Sequence, residues 1–212
     1  MDFGDLIWIL PSAVALFAVI WFFNGIRLIG RVSSGKPIGK RSKKALVLID
    51  LQSAFWEAGT FSETDKAAAK KHILHEVQSA KEEGIPVIAV RHEWSIPSTK
   101  AIARVFGKGL AIAGKPGTEL LEPLDELADH VLVKRVQDAF ETDELDELLA
   151  KLDVGVVRIL GLDTNFCVAK TATAARQREY DVEIALNGVL SANHKKAEQT
   201  LLQLQEQNVT LI

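Results

Sequence analysis

Three side chains in this sequence could do covalent chemistry together: the thiol of Cys167, the carboxylate of Asp50 and the ammonium of Lys134. Asp50 and Lys134 each close a short apolar run, Ala45-Leu46-Val47-Leu48-Ile49-Asp50 and His130-Val131-Leu132-Val133-Lys134. Cys167 sits in Gly161-Leu162-Asp163-Thr164-Asn165-Phe166-Cys167-Val168, where an apolar run gives way to helix-forming residues. A thiol attacks carbon as its thiolate, so a neighbouring acid that takes the proton and a cation that favours the charged form would arm it. The first turn of a helix adds unpaired backbone N–H groups and the positive end of the dipole, which predicts a lowered thiol pKa. Read singly, each residue also has a plainer explanation. A lone cysteine is commonly a small buried residue, and Asp50 with Lys134 could be a structural ion pair or helix caps at strand ends.

These three residues can meet only if their runs are neighbouring strands of one sheet. Short apolar stretches rich in Val, Ile and Leu occur at 45–50, 86–91, 130–134, 155–161, 181–186 and 208–212, separated by amphipathic stretches. Near-continuous apolar strands alternating with helices predict an α/β fold, a Rossmann-like doubly wound parallel sheet of about six strands with both faces covered. Helices are predicted over about 64–83, 143–152, 166–179 and 192–206, with Ser62 and Thr142 as N-caps ahead of acidic first turns. In such a sheet the carboxyl ends of the strands line one rim, and ligands bind in the crevice there. Asp50, Lys134 and Cys167 all fall on that rim.

The first 44 of the 212 residues are different material. Leu6 to Ile26 carries no charge and includes Trp8, Leu10, Phe17, Trp21, Phe22 and Phe23. At ~1.5 Å rise per residue that run crosses a hydrocarbon core of roughly 30 Å. Residues 1–30 therefore read as a transmembrane anchor. The rival, a cleaved signal peptide, should open with basic residues, whereas Asp2 and Asp5 stand here. Residues 31–44 read as a flexible basic linker containing Ser33, Ser34, Gly35, Pro37 and Gly39. Arg27, Arg31, Lys36, Lys40, Arg41, Lys43 and Lys44 follow the apolar run with no acid before Asp50, which predicts a single-pass membrane protein whose large C-terminal part is cytoplasmic.

Residues 45–212 form the third segment, one ordinary globular domain. Of the chain's 25 basic and 28 acidic residues this segment keeps 18 and 26, a net charge of −8 that argues against nucleic-acid binding. One cysteine excludes an internal disulfide and a paired-cysteine metal knuckle, and a working thiol suits the reduced cytosolic side.

Leu48-Ile49-Asp50-Leu51-Gln52 with Phe55, then Lys134-Arg135 with Ala139-Phe140 and Thr142, then Gly161 to Val168 continuing through Thr171-Ala172 and Ala175, resemble in this order the isochorismatase-like cysteine hydrolases. That superfamily includes nicotinamidases, carbamoyl-amine amidases and isochorismatases, and the resemblance covers the chain from about residue 45 to its end. It implies a catalytic triad: Asp50 as proton acceptor, Lys134 holding Asp50 and favouring thiolate, and Cys167 as nucleophile. It further implies an oxyanion hole from the backbone N–H groups of Asp163 and Cys167, with a cis peptide between Leu162 and Asp163. The small-molecule substrate would be an amide, ureido or carbamoyl compound.

Phe55, Trp56, His92, Trp94 and Phe140 lie just beyond strand ends and are candidate pocket residues, each with an ordinary core or loop role as its alternative. Nicotinamidases carry an Asp-x-His pair and a further His near residues 91–110, a set this sequence lacks, so no metal and no cofactor are expected. Members of the superfamily often self-associate, which makes a homo-oligomer an expectation of the resemblance, though no stretch marks an interface. Two departures stand out: Glu179-Tyr180 where Gly-Tyr is frequent, and Asn187-Gly188 where Asp-Ala is frequent. The second would remove a carboxylate near the expected site. Asp163 adds one beside the expected oxyanion hole, where an inward carboxylate would oppose negative charge. Two other readings stay open, a vinyl-ether hydrolase that needs no thiol and a catalytically silent tethered scaffold.

Overall fold

The structure, a computed structural model, describes residues 3–212, with side chains described from Pro11 onward. The chain runs α1 (Phe3–Gly30), β1 (Lys43–Ile49), α2 (Ser53–Trp56), α3 (Glu63–Glu82), β2 (Val87–His92), α4 (Pro97–Phe106), α5 (Leu124–Leu127), β3 (His130–Lys134), α6 (Glu144–Lys151), β4 (Val154–Leu162), a π-helical turn (Thr164–Val168), α7 (Ala169–Gln177), β5 (Asp181–Leu190), α8 (His194–Glu206) and β6 (Val209–Leu211). The six strands form one parallel sheet in the order β3-β2-β1-β4-β5-β6. The order reverses between β1 and β4, so chain connections leave in opposite directions there and open a crevice at the carboxyl ends.

Alternate residues of β1 explain why helices must cover both faces. Val47 and Ile49 pack with Leu145 and Leu149 of α6 and with Val168, Ala172 and Ala175. Leu46 and Leu48 pack instead with Ala69, Ile73, Val77 and Ala80 of α3. A strand buried on both sides needs an unbroken apolar sequence, which is what 45–49 supplies. Where β4 closes against β1, Gly161 adopts φ +124°, and a Cβ there would lie 2.0 Å from the Ile49 carbonyl oxygen. No other residue permits that approach.

The six predicted strands are present, with β5 extended to Leu190 and β6 limited to three residues. Ser62 caps α3, its hydroxyl accepting from the Asp65 N–H at 3.1 Å. Thr142 does not cap α6. The chain enters that helix through Asp143 at φ +63°, a left-handed conformation that Asp tolerates better than a β-branched residue. Helix α4 and the short α2 and α5 were not anticipated.

Helix α1 is long and apolar enough to cross a membrane, and the side chains of Leu16, Phe17, Ile20 and Phe23 are exposed. Met1 and Asp2, and the side chain of Trp8, lie outside the description. Residues 31–42 form no regular element but lie against the domain, where a flexible linker was expected. Val32 and Ile38 pack on its core, the Gln137 N–H donates to the Ile29 carbonyl at 3.2 Å, and the Ser33 N–H donates to Asp138 Oδ2 at 2.7 Å. Buried Arg178 donates to the Ser33 carbonyl and to Asp146 Oδ2, at 2.8 and 2.5 Å, while stacking over Phe140. Fixed polar partners on both sides hold the stretch in one path.

Candidate active site

Strand register brings the distant residues together. Ile49 pairs with Val90 on one side and with Gly161 on the other, and His92 pairs with Lys134. Asp50 therefore follows the last paired residue of β1, beside the ends of β2 and β4. Its backbone is left-handed at φ +56°, a conformation sparsely used outside glycine and repeatedly found at functional sites.

Lys134 is the hub. Its Nζ lies 3.0 Å from Asp50 Oδ2, 2.7 Å from His92 Nδ1 and 3.1 Å from the Val136 carbonyl oxygen. An ammonium has three protons, and these three acceptors use them all. His92 must then accept at Nδ1, which makes it the neutral tautomer with its proton on Nε2. Burial, reinforced by the Lys134 charge, holds the His92 pKa well below its ordinary value, in keeping with that assignment.

Asp50 uses one oxygen only. Oδ2 meets Lys134, whereas buried Oδ1 has no hydrogen-bond partner, and Cys167 Sγ lies within 4.8 Å of the carboxylate. A buried carboxylate oxygen without a donor is unfavourable unless a mobile proton or a ligand visits it. Burial raises the Asp50 pKa, partly offset by Lys134. For Lys134, burial pulls down, but Asp50 and Cys167 carry the ammonium above its usual value.

Cys167 stands in the π-helical turn that opens α7 and is only 9% exposed. Its thiol pKa is raised, not lowered as the helix-start argument predicted. Burial dominates, the Asp50 charge adds to it, and Lys134 opposes both without winning. The resting thiol is therefore neutral, and its proton must leave as the attack proceeds.

Cys167 opens onto a cavity of about 200 Å³ whose walls include Phe55, Phe61, His92, Trp94, Leu110 and Phe166. His92 lies between aromatic rings, 3.9 Å from Trp94 and 6.2 Å from Phe55, centre to centre. Of the five candidate pocket residues, Phe55, His92 and Trp94 line this cavity. Trp56 and Phe140 do not. Trp56 turns to the α3 side among Leu51, Ile73 and Leu124, and Phe140 is buried between Tyr180 and Arg178. Asn187 is exposed in a separate groove between α3 and α8, so its lost carboxylate would not have faced Cys167. A larger recess, about 680 Å³, opens among Lys43, Lys81, Pro86 and Asp129 at the amino ends of the strands, remote from the thiol.

The Leu162–Asp163 peptide is cis, and Asp163 and Cys167 both line the cavity. The Asp163 carboxylate is committed elsewhere, Oδ1 accepting from the Asn165 N–H and Oδ2 from the Ala192 N–H, each at 2.8 Å. Asn165 in turn donates to Ser191 Oγ at 2.5 Å and accepts from the Thr200 hydroxyl at 2.9 Å. This network pins the cysteine-bearing turn to the loop after β5.

With the fold and these positions in place, comparison with known proteins decides the family. The isochorismatase domain model matches residues 44–212. The chain belongs to the isochorismatase family. An uncharacterized isochorismatase family protein of Bacillus subtilis, YrdC, is 28% identical over 139 residues, covering 66% of this chain and 69% of that protein. Nicotinamidase 3 of Arabidopsis thaliana is 24% identical over 167 residues, covering 76% and 79%. Among solved structures, a pyrazinamidase/nicotinamidase from Streptococcus mutans superposes with a TM-score of 0.71 at 24% identity, over 80% of this chain and all of that one.

A solved structure of this fold, the pyrazinamidase of Pyrococcus horikoshii, is a complex with zinc. Here the donor set does not suit a resident cation. Asp50, His92 and Cys167 bring ligand atoms within 4.8 Å of one another, but Lys134 already occupies His92 Nδ1 and Asp50 Oδ2. A metal ion would share that space with an ammonium and meet a neutral thiol. The nearby carboxylate of Glu93 pairs with Arg91 at 3.0 Å.

Gln52 went unnoticed as a site residue. Its amide accepts from the His92 N–H at 2.6 Å and donates to the His92 and Thr118 carbonyls at 3.1 and 2.8 Å. A buried glutamine directly after an apolar strand was the available signal.

Proposed function

We propose that this protein is a membrane-anchored cysteine hydrolase that cleaves a small neutral amide, ureido or carbamoyl compound through Asp50, Lys134 and Cys167. The observation that carries the reading is the buried Asp50 carboxylate within 4.8 Å of the chain's one thiol, with Oδ2 fixed by Lys134 and Oδ1 unpartnered. Asp50 takes the thiol proton through Oδ1 while Sγ bonds to the carbonyl carbon and the carbonyl π electrons move to oxygen. The backbone N–H groups of Asp163 and Cys167 receive that oxyanion. Its collapse breaks the C–N bond, and Asp50 returns the proton to the leaving nitrogen. Water then attacks the thioester, Asp50 again taking a proton, and the C–S bond breaks to restore the thiol. One water is consumed and one amine or ammonia is released.

Charge supports a neutral substrate. Among the described residues, neither Lys nor Arg lines the cavity, and Lys134 has no proton left to offer. A dicarboxylate of the isochorismate kind would enter without a cation to meet it, so vinyl-ether hydrolysis is the weaker reading. A silent scaffold has no use for a buried acid oxygen without a donor. The N-carbamoylsarcosine amidase of Thermoplasma acidophilum shares the fold at a TM-score of 0.67, and nicotinamidases recur among the relatives, which supports C–N cleavage.

The anchor reading rests on the length and apolarity of α1 and on the basic residues after it, which favour a cytoplasmic domain. Ammonia release from a panel of neutral amides, ureas and carbamoyl compounds tests the chemistry, and turnover that survives Cys167→Ala overturns it. Deletion of residues 1–30 tests the anchor, which fails if the truncated protein still sediments with membranes.

A further inference from the structure

Helix α4 packs on the end of α1 that leads into the domain. The two backbones approach so closely at Gly25 that a Cβ there would lie 2.7 Å from Ile102 Cδ1 and 2.9 Å from Ser98 Cβ, and the Phe22 and Phe106 rings stand 6.0 Å apart. The far end of α4 is not covered. Val105 is 73% and Phe106 70% exposed, beside the exposed apolar side chains of α1. Two adjacent apolar residues left in water at a helix end are unfavourable by the area they expose.

Charge at the same place is one-sided. From Trp94 to Thr118 the sequence holds Lys100, Arg104, Lys108 and Lys115 and no acidic residue, inside a domain whose net charge is −8. Arg104 and Lys108 bracket the Val105-Phe106 pair and are exposed with it. Apolar side chains flanked by cations fit the boundary of an anionic lipid bilayer, where the rings enter the acyl edge and the cations meet headgroup phosphates.

We infer that the C-terminal end of α4 is a second membrane contact, docking Val105 and Phe106 into the anionic interface of the same bilayer that α1 enters. The inference rests on the anchor reading of α1 and adds a consequence for the cavity. Trp94 and Leu110, the residues flanking α4 on either side, both line it, and Trp94 exchanges backbone hydrogen bonds with Ala111 and Ala113 at 2.8 and 3.2 Å. One wall of the cavity is therefore built from residues on either side of the docking element. The cavity itself, about 200 Å³, is smaller than the ~300 Å³ at which drug-sized pockets begin, so it admits only a small substrate.

The test uses the full-length chain in vesicles. Cys167→Ala removes the single native thiol, and Val105→Cys, Phe17→Cys and Leu202→Cys, all at exposed positions, then each carry one nitroxide label. Relaxation by oxygen, which partitions into lipid, is compared with relaxation by a water-soluble nickel chelate. In phosphatidylcholine vesicles containing phosphatidylglycerol, the label at Val105 should be lipid-exposed like that at Phe17, with Leu202 in water. Arg104→Glu with Lys108→Glu should reduce docking at Val105 roughly tenfold or more and leave Phe17 unchanged. Water exposure at Val105 with Phe17 in lipid overturns the inference and spares the anchor. Water exposure at both overturns the anchor, and the inference with it. Equal burial of Val105 in phosphatidylcholine alone overturns recognition of the anionic headgroup.

Discussion

Asp50 gives Lys134 one carboxylate oxygen, Oδ2 at 3.0 Å, and leaves the other buried without a hydrogen-bond partner, with Cys167 Sγ within 4.8 Å of the carboxylate. The ion pair thus fixes the rotation of the acid while leaving its second oxygen available as a base. Both partners are buried, so this division of labour is not averaged by solvent.

Removing any member of the set should be severe and not additive. Cys167→Ala, Asp50→Asn and Lys134→Met are each expected to lower kcat/KM by on the order of 10³-fold, with double variants hardly worse than singles. Circular dichroism on the same samples separates lost chemistry from lost folding. Activity within tenfold of the wild type in Asp50→Asn would exclude Asp50 as the base.

The thiol itself should react slowly at neutral pH. Burial and Asp50 hold its pKa above the ordinary value, so alkylation by iodoacetamide is expected to accelerate only on the alkaline side of a free cysteine. Asp50→Asn removes a negative charge and should shift that profile down. Lys134→Met removes a positive one and should shift it up. Opposite movement would mean that the two charges do not act on Cys167.

Catalysis should fail on the acid side earlier than an ordinary carboxylate would require. The working form of Asp50 is ionised, and burial raises its pKa, so activity falls as pH drops through a value above that of an ordinary aspartate. A pH profile of kcat/KM on a neutral substrate measures the limb directly. A limb at or below the ordinary aspartate range would contradict the burial argument.

Gln52 should act by holding His92. Gln52→Ala removes three hydrogen bonds that fix the end of β2 and the loop at Thr118. We expect kcat to fall roughly 10- to 100-fold with the alkylation profile of Cys167 unchanged, because the Asp50–Lys134 pair is left intact. Gln52→Glu, which sets a buried acceptor oxygen against the His92 and Thr118 carbonyls, should not recover the loss.

Arg178 should matter to stability and not to chemistry. It is fully buried, bonded to Asp146 and to the 33–34 backbone, and remote from the cavity. Arg178→Met is expected to cost about 3 kcal/mol by leaving those groups without their cation. Thermal unfolding checks it, and kcat of the folded fraction should be unchanged.

The sheet was legible because burial on both faces forces continuous Val, Ile and Leu, a pattern few other structures demand. The three strand-end residues were legible because a charge or a thiol at the end of such a run has few structural duties. Other parts depend on contacts that no local pattern records. Trp56 and Phe140 have the right type and the right place along the chain, yet the turn at each position sends the ring to the opposite side. The fate of the Asp163 carboxylate was set by Ala192, far along the chain. Helix α4 escaped because Pro97-Ser98-Thr99-Lys100 opens it without an acidic first turn, and its apolar face is shaped to α1 rather than to the sheet. The thiol pKa was misread because the dipole of a helix start is weak beside full burial and an adjacent carboxylate.

The hydrogen bond from Gln137 to Ile29 joins a cavity-lining residue to the last turn of α1, without any slack between them. The junction is a bracket and not a leash. On the proposed orientation the catalytic cavity stands at a constant height and tilt above the bilayer, free only to spin about the normal and drift in the plane. For a substrate that partitions into the membrane, turnover would then follow its number per unit area in one thin layer, whereas a water-soluble one would be met only at that fixed height.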